Sequence, residues 1–315
     1  MPIGIIAGLT TCALWGLTFV APRAVEPFTA WDLTIARYCV FGIACLLLML
    51  HPRFRPTGIA LRRSAIGLLL GGVGYVGYFV SAAFAVRLAG AAIPPLIIGT
   101  MPVFLAVIAN LRERSASWRA LALPLVLIAA GVVIVNIAAI RTANSIDTGS
   151  ILLGMLSACA ALCVWIVYGL ANAAVMSAPD APDGLRWTGL QGVGAALGSL
   201  ILLPLSSLGA LDAMPTFDTY RFIAWALLMG LPGSWFATWC WVVASRRLPL
   251  VLSAQLIVAE TVFGLGYGFV FEGRWPTSAE AFGSVLQLIG VISAVTVFST
   301  PSGSVGLPQA SAAKV

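Results

Sequence analysis

Charge is scarce in this chain. Of its 315 residues, 9% are Asp, Glu, Lys or Arg, where a soluble domain carries about 25%. That shortage, set beside 60% hydrophobic residues, excludes a soluble globular fold and describes a chain embedded in lipid along its length. Histidine is nearly absent. The one copy, His51, ends an apolar run beside Pro52, so no histidine cluster can bind a metal. The chain has no His-Glu-x-x-His, no Gly-x-x-x-x-Gly-Lys and no Gly-x-Ser-x-Gly pattern, which leaves metalloprotease, nucleotide and serine-hydrolase chemistry without their residues. No catalytic residue, metal or cofactor is expected, and any uphill work must draw on an ion or an exchanged solute. The six cysteines, Cys12, Cys39, Cys45, Cys159, Cys163 and Cys240, all lie inside apolar runs. They read as small hydrophobes rather than as disulfides or ligands. Basic residues exceed acidic ones by six, but they stand singly or in pairs between apolar runs. Nucleic acid is therefore excluded as a partner, and the arginines serve to orient the chain in a bilayer.

What is present is a succession of apolar runs. A bilayer core takes about 20 mostly apolar residues per helix, and ten such runs can be placed: Ile3–Ala21, Ala30–Leu50, Ser64–Val86, Ala91–Leu111, Arg119–Ala138, Ser150–Ala171, Trp187–Ser206, Phe222–Ala244, Pro249–Phe271 and Ala281–Ser299. They are continuous and not alternating, so they are helices and not barrel strands. No basic region precedes the first run and no Ala-x-Ala site follows it, so it reads as a span and not as a signal peptide. With the N-terminus in the cytoplasm, eleven Lys and Arg residues fall on the cytoplasmic side (Arg62, Arg112 and Arg246 among them) and five on the other (Arg23, Arg87, Arg141, Arg221, Arg274). Both termini are expected inside. The Ser/Gly/Ala-rich residues 300–315 read as a flexible tail.

The chain also says one thing twice. Val103-Phe104, Arg112-Glu113 and Gly131-Val132 recur as Val262-Phe263, Phe271-Glu272 and Gly290-Val291, each at a shift of 159 residues. Gly71 and Gly74 fall on Gly230 and Gly233 at the same shift. A repeat of half the chain is a duplication. Five spans per copy is an odd number, so the second copy enters the membrane from the opposite side. The expected fold is an all-α integral membrane protein: ten transmembrane helices in two inverted five-helix repeats, residues 1–143 and 144–299. That architecture belongs to secondary transporters, with a solute site near the midplane.

Candidate functional residues follow from depth in the spans. Glu260 is the one acidic residue expected mid-span, which is a functional hypothesis by default. It could meet a solute's amino group, carry a coupling proton, or tie helices together. Arg37, seven residues into span two, could snorkel to the interface, make a structural link, or hold a carboxylate. Tyr75 and Tyr78, Trp165 and Tyr168, and Trp235 and Trp239 are pairs at spacings of three or four, each on one helix face. Trp15 matches Trp165 across the halves. These aromatics, with Thr100, Gln255 and Glu260, are the expected lining of an apolar cavity with a few polar tips. Gly71, Gly74, Pro102, Gly230, Pro232 and Gly233 are the expected hinge points; close helix packing is the competing explanation for each glycine.

Trp15-Gly16, Arg37-Tyr38, Thr100-Met101-Pro102-Val103-Phe104 with Glu113, and Glu260-Thr261-Val262-Phe263 resemble the drug/metabolite transporter superfamily, EamA type, over about Ile3 to Phe298. One departure is Thr261, where the family pattern usually has proline. The resemblance implies ten helices, an inverted repeat, a central cavity and a bacterial inner-membrane location. Within the superfamily the chain is most similar to bacterial amino-acid exporters, which implies export of aromatic and other neutral amino acids. A multidrug or cationic-compound exporter with Glu260 as charge partner is the alternative. A membrane-embedded enzyme is a distant third. The expected partners are a small-molecule solute and the lipid bilayer; oligomeric state is open.

Overall fold

The computed structural model describes residues 2–101, 103, 104, 107, 108, 111, 117–142, 145–176, 178–208, 215–248 and 250–299. Pro102, Arg112, Glu113 and the tail lie outside them, and so do the side chains of Gln255 and Asp147. The described residues form helices and no strand. In chain order they are α1 (Pro2–Gly16, tightening into a 3₁₀ turn at Leu17–Phe19), α2 (Ala30–Leu48), α3 (Leu61–Leu69), α4 (Val76–Ala89), α5 (Ile93–Ile98) and α6 (Trp118–Thr142), then α7 (Ser145–Met176), α8 (Gly184–Leu200), α9 (Thr216–Gly230), α10 (Ala237–Arg247), α11 (Leu250–Glu272) and α12 (Ser278–Ser299). Among the described residues, six segments are long and apolar enough to cross a membrane: Pro2–Phe19, Ala30–Leu48, Leu61–Ala89, Trp118–Ala138, Thr148–Met176 and Thr216–Arg247. α7 runs well past the expected Ser150–Ala171 at both ends.

The outer faces carry bare apolar side chains. Leu69, Leu123, Leu156 and Val270 are all more than 60% exposed. In lipid this is the expected arrangement, since hydrocarbon solvates such faces and every backbone group bonds within its helix. The inner faces hold Phe19, Phe28, Phe41 and Phe79, all fully buried. The main seams run α2 on α8, α4 on α7, α6 on α12, and α1 on both α10 and α11.

Side chains cap the starts of α2 and α8, through Thr29 and Asp183. Thr29 and Asp32 form a capping box at the start of α2. The fully buried Asp32 carboxylate also accepts from Ser207 N (2.7 Å) and Ser207 Oγ (2.5 Å). This acid is saturated, and it pins α2 to the segment after α8.

Two helix interiors are deformed. Leu70–Tyr75 joins α3 to α4, and Leu231–Phe236 joins α9 to α10, each as a six-residue π turn. Both coincide with glycine clusters, and Pro232 withholds one backbone donor from its turn. Turns of this kind insert an extra residue and recur at functional sites. The glycines also allow close approach. A Cβ on Gly71 would overlap the Gln191 carbonyl in α8 and lie 2.8 Å from its Cα; one on Gly230 would lie 2.6 Å from Val40 Cβ in α2.

Candidate functional site

A cavity of about 290 Å³ occupies the middle of the bundle. Its aromatic wall comes from the helices around the first π turn. Tyr78 stacks on Trp165 with centroids 4.6 Å apart, and Trp165 stacks on Tyr168 at 4.6 Å with planes 9° apart. Tyr75 leans on both, at 5.9 and 5.1 Å. The i, i+3 spacing on α7 and across the π turn puts these four rings side by side. Trp15 from α1 lines the cavity next to Trp241 of α10 (6.0 Å). Glu260 and Thr261 enter from α11, and Arg37 from α2.

The polar groups of the wall are mostly bonded to one another. Tyr75 Oη donates to Gln191 Oε1 (2.9 Å), and Tyr168 Oη lies 3.0 Å from both. Asn172 Oδ1 accepts from Gln191 Nε2 (3.0 Å) and Trp187 Nε1 (2.7 Å). This network joins α7, α8 and the first π turn. Ser234, in the second π turn, donates to Met229 O (2.8 Å) and accepts from Arg37 Nε (3.1 Å).

Six of the ten expected binding residues line this space: Trp15, Tyr75, Tyr78, Trp165, Tyr168 and Glu260. Three do not. Trp235 packs on Phe54 and borders a shallow outer groove with Leu47 and Leu231. Trp239 is 38% exposed and packs on Phe236. The cavity face of that helix is Ser234, Thr238 and Trp241, about 100° round from the tryptophan pair. Thr100 is buried, with its hydroxyl bonded to Ile97 O (2.6 Å). Gln255, the tenth, falls among the side chains outside the described residues. Of the expected hinge residues, Gly71 and Gly74 lie in the first π turn, Pro232 and Gly233 in the second, and Gly230 just before it. Arg37 is held inside and does not snorkel. Gln191, Trp187 and Ser234, which also line the cavity, were not among the residues expected from the sequence.

The two ends of the bundle differ. The cavity lining reaches Met176, Gly184 and Val242, at or near the α7–α8 connection, and stops at Phe19 and Ile98 in the other direction. Beyond that stop lies an ion cluster. Glu272 accepts from Arg23 Nη1 and Arg274 Nε (2.7 Å each) and from Ala91 N (3.3 Å). Arg274 also makes two 2.7 Å bonds to Glu280. Arg87 donates to Phe28 O (2.6 Å), and Phe28 stacks on Phe222 at 4.3 Å. At the α7–α8 end, Arg63 bonds Asp180 (2.8 Å), and this bond holds the exposed carboxyl below its usual range.

The cavity extends toward the α7–α8 end of the bundle, and the ion cluster lies beyond its other end. The model of the EamA-like transporter family matches residues 2–137. The inner membrane protein YtfF of Escherichia coli (strain K12) is 30% identical over 310 residues, covering 93% of this chain and 94% of that protein. The chain belongs to the EamA-like transporter family. A solved crystal structure, 20% identical, superposes with a TM-score of 0.61 over 94% of this chain and 99% of its own; at that identity the likeness concerns the fold alone. As an EamA-type member of the drug/metabolite transporter superfamily, the protein is a multi-pass membrane transporter, and its task is to move a small solute rather than to transform one.

Proposed function

We propose that the protein exports aromatic and other neutral amino acids, or metabolites of similar size, across the bacterial inner membrane by alternating access. The observation that carries this reading is the wall of four packed rings, Tyr75, Tyr78, Trp165 and Tyr168, around a central chamber. A planar side chain gains stacking on such a wall beyond simple burial. The chamber, at about 290 Å³, lies at the small end of ligand cavities (about 300–1,000 Å³), which favours one small solute over a large drug. Glu260 offers a partner for an ammonium group.

The chain is read as ten helices in two inverted repeats, 1–143 and 144–299. The 159-residue shift supports this, and so does the presence of a π turn in corresponding parts of each half. The π turns, with Gly71, Gly74, Gly230, Pro232 and Gly233, act as the hinges of the cycle, Pro102 being a further candidate. The eleven-to-five excess of basic residues puts both termini in the cytoplasm. On that orientation the chamber extends toward the cytoplasm and the Glu272 cluster seals the periplasmic end, which is the loading state of an exporter. YtfF, named as an inner membrane protein, supports the location.

The test is solute flux in proteoliposomes with a labelled panel. Phenylalanine should move faster than alanine, without competition from tetraphenylphosphonium. Flux that ignores every amino acid but competes with lipophilic cations would assign the chamber to cationic compounds instead, with Glu260 as their partner.

A further inference from the structure

We propose that Arg37 is the carboxylate-binding residue of the chamber, so that the transported solute must carry a carboxylate. This deepens the transport reading above and rests on it. Arg37 is 6% exposed, in the middle of the bundle, and lines the cavity. Its Nε is fixed by Ser234 at 3.1 Å. Its guanidinium carbon lies 4.3 Å from the Phe79 ring centroid and 5.3 Å from that of Tyr38. Among the described residues, Nη1 is buried and has no hydrogen-bond partner. Neither Arg37 nor Glu260 belongs to an ion pair among them.

A permanently charged group in that position is costly. Burial of an unpaired charge is among the largest penalties a fold can carry, and the ring faces offset only part of it. Structural arginines remove the cost by finding a carboxylate or carbonyls, as Arg23, Arg63 and Arg274 do here. In the chamber, Tyr75, Tyr168, Gln191, Asn172 and Trp187 satisfy one another. Among the described residues, the buried and unpartnered side-chain atoms of Asn136, Arg221, Ser284 and Gln287 belong to residues off the cavity wall, and that of Arg37 to a residue on it. The guanidinium is thus anchored on one edge and buried without a partner on another. A carboxylate is the group that completes it, because the planar fork matches two oxygens and the bond is charge-assisted. With Glu260 on the same wall and not in contact with Arg37, the solute that satisfies both is a zwitterion, its carboxylate on Arg37 and its ammonium toward Glu260. A lipophilic cation brings no carboxylate to Arg37 and is repelled by its charge, so it is disfavoured.

The experiment measures binding of three ligands to the full-length protein in nanodiscs: L-phenylalanine, 3-phenylpropionate (no ammonium) and L-phenylalaninamide (no carboxylate). In the wild type, phenylalanine should bind at least about tenfold tighter than its amide, and 3-phenylpropionate should bind measurably. Arg37→Gln should weaken phenylalanine by about thirtyfold and abolish its preference over the amide. Arg37→Lys, which keeps the charge but loses the fork, should fall between, and it serves if the glutamine variant does not fold. Equal wild-type affinity for phenylalanine and its amide overturns the carboxylate site while leaving amino-acid transport standing. A preference retained in Arg37→Gln does the same. Arg37-dependent binding of 3-phenylpropionate without any binding of phenylalanine would keep the carboxylate site and remove the amino-acid reading. Binding of none of the three by folded protein would remove both.

Discussion

Replacing Trp165 with alanine tests the chamber most directly. The indole is sandwiched between Tyr78 and Tyr168, with both centroids at 4.6 Å, and touches Tyr75 at 5.9 Å. Its loss removes the middle ring of the wall. A bound aromatic solute then forfeits one ring contact at the indole edge, worth about 0.5–1.5 kcal/mol beyond area burial, and the flanking tyrosines lose the partner that orients them. We expect phenylalanine affinity to fall about tenfold, which is about 1.4 kcal/mol, and alanine affinity to fall less than about threefold, because a methyl group reaches little of the wall. Trp239→Ala is the matched control. That indole has the same size but faces outward from another helix, 38% exposed, so its loss should leave both affinities unchanged. The assay is equilibrium binding to purified protein, alongside melting curves that establish folding. The reasoning is refuted if Trp165→Ala weakens phenylalanine and alanine equally, or if Trp239→Ala produces the selective loss.

Five further outcomes are expected. Glu260→Gln, which keeps the shape and removes the charge, should weaken phenylalanine about tenfold; an unchanged affinity would make Glu260 structural. Gly71→Ala should lower the melting temperature, because its Cβ overlaps the Gln191 carbonyl and overpacking costs about 1–3 kcal/mol. Gly233→Ala meets nothing closer than 3.2 Å, so it should fold normally yet transport slowly, and a normal rate would leave its π turn without a hinge role. Glu272→Gln should loosen the closed end by about 0.5–1 kcal/mol, since its arginine partners are a third exposed, and so speed labelling of a cysteine placed at Ile98 from the periplasm; unchanged labelling would reduce the cluster to a structural tie. Cysteines at Arg62 and Arg246 should react only from the cytoplasm and one at Arg274 only from outside, and the reverse pattern would invert the topology.

The sequence by itself determined the class of molecule. With 9% charge and long apolar runs, only a membrane bundle satisfies the backbone, because each helix bonds its own polar groups wherever it lies. Part of the chamber was legible for a similarly local reason: Trp165 and Tyr168 are three residues apart, and that spacing shares a face in any helix. Spacing does not say which way the face points. Trp235 and Trp239 satisfy the same rule yet look outward, because the rotation of α10 is decided by the packing of Gly230 against Val40 and by the extra residue in its π turn. For Arg37, snorkelling, a structural link and a carboxylate site all stayed open, since depth along a helix is visible in sequence and a hydrogen bond to Ser234, 197 positions away, is not. The closing cluster is the extreme case. Arg23 and Glu272 stand 249 positions apart, so no periodic pattern links them. Only the tertiary structure brings α11 back beside the end of α1, and ion pairing depends on distance in space rather than on separation along the chain.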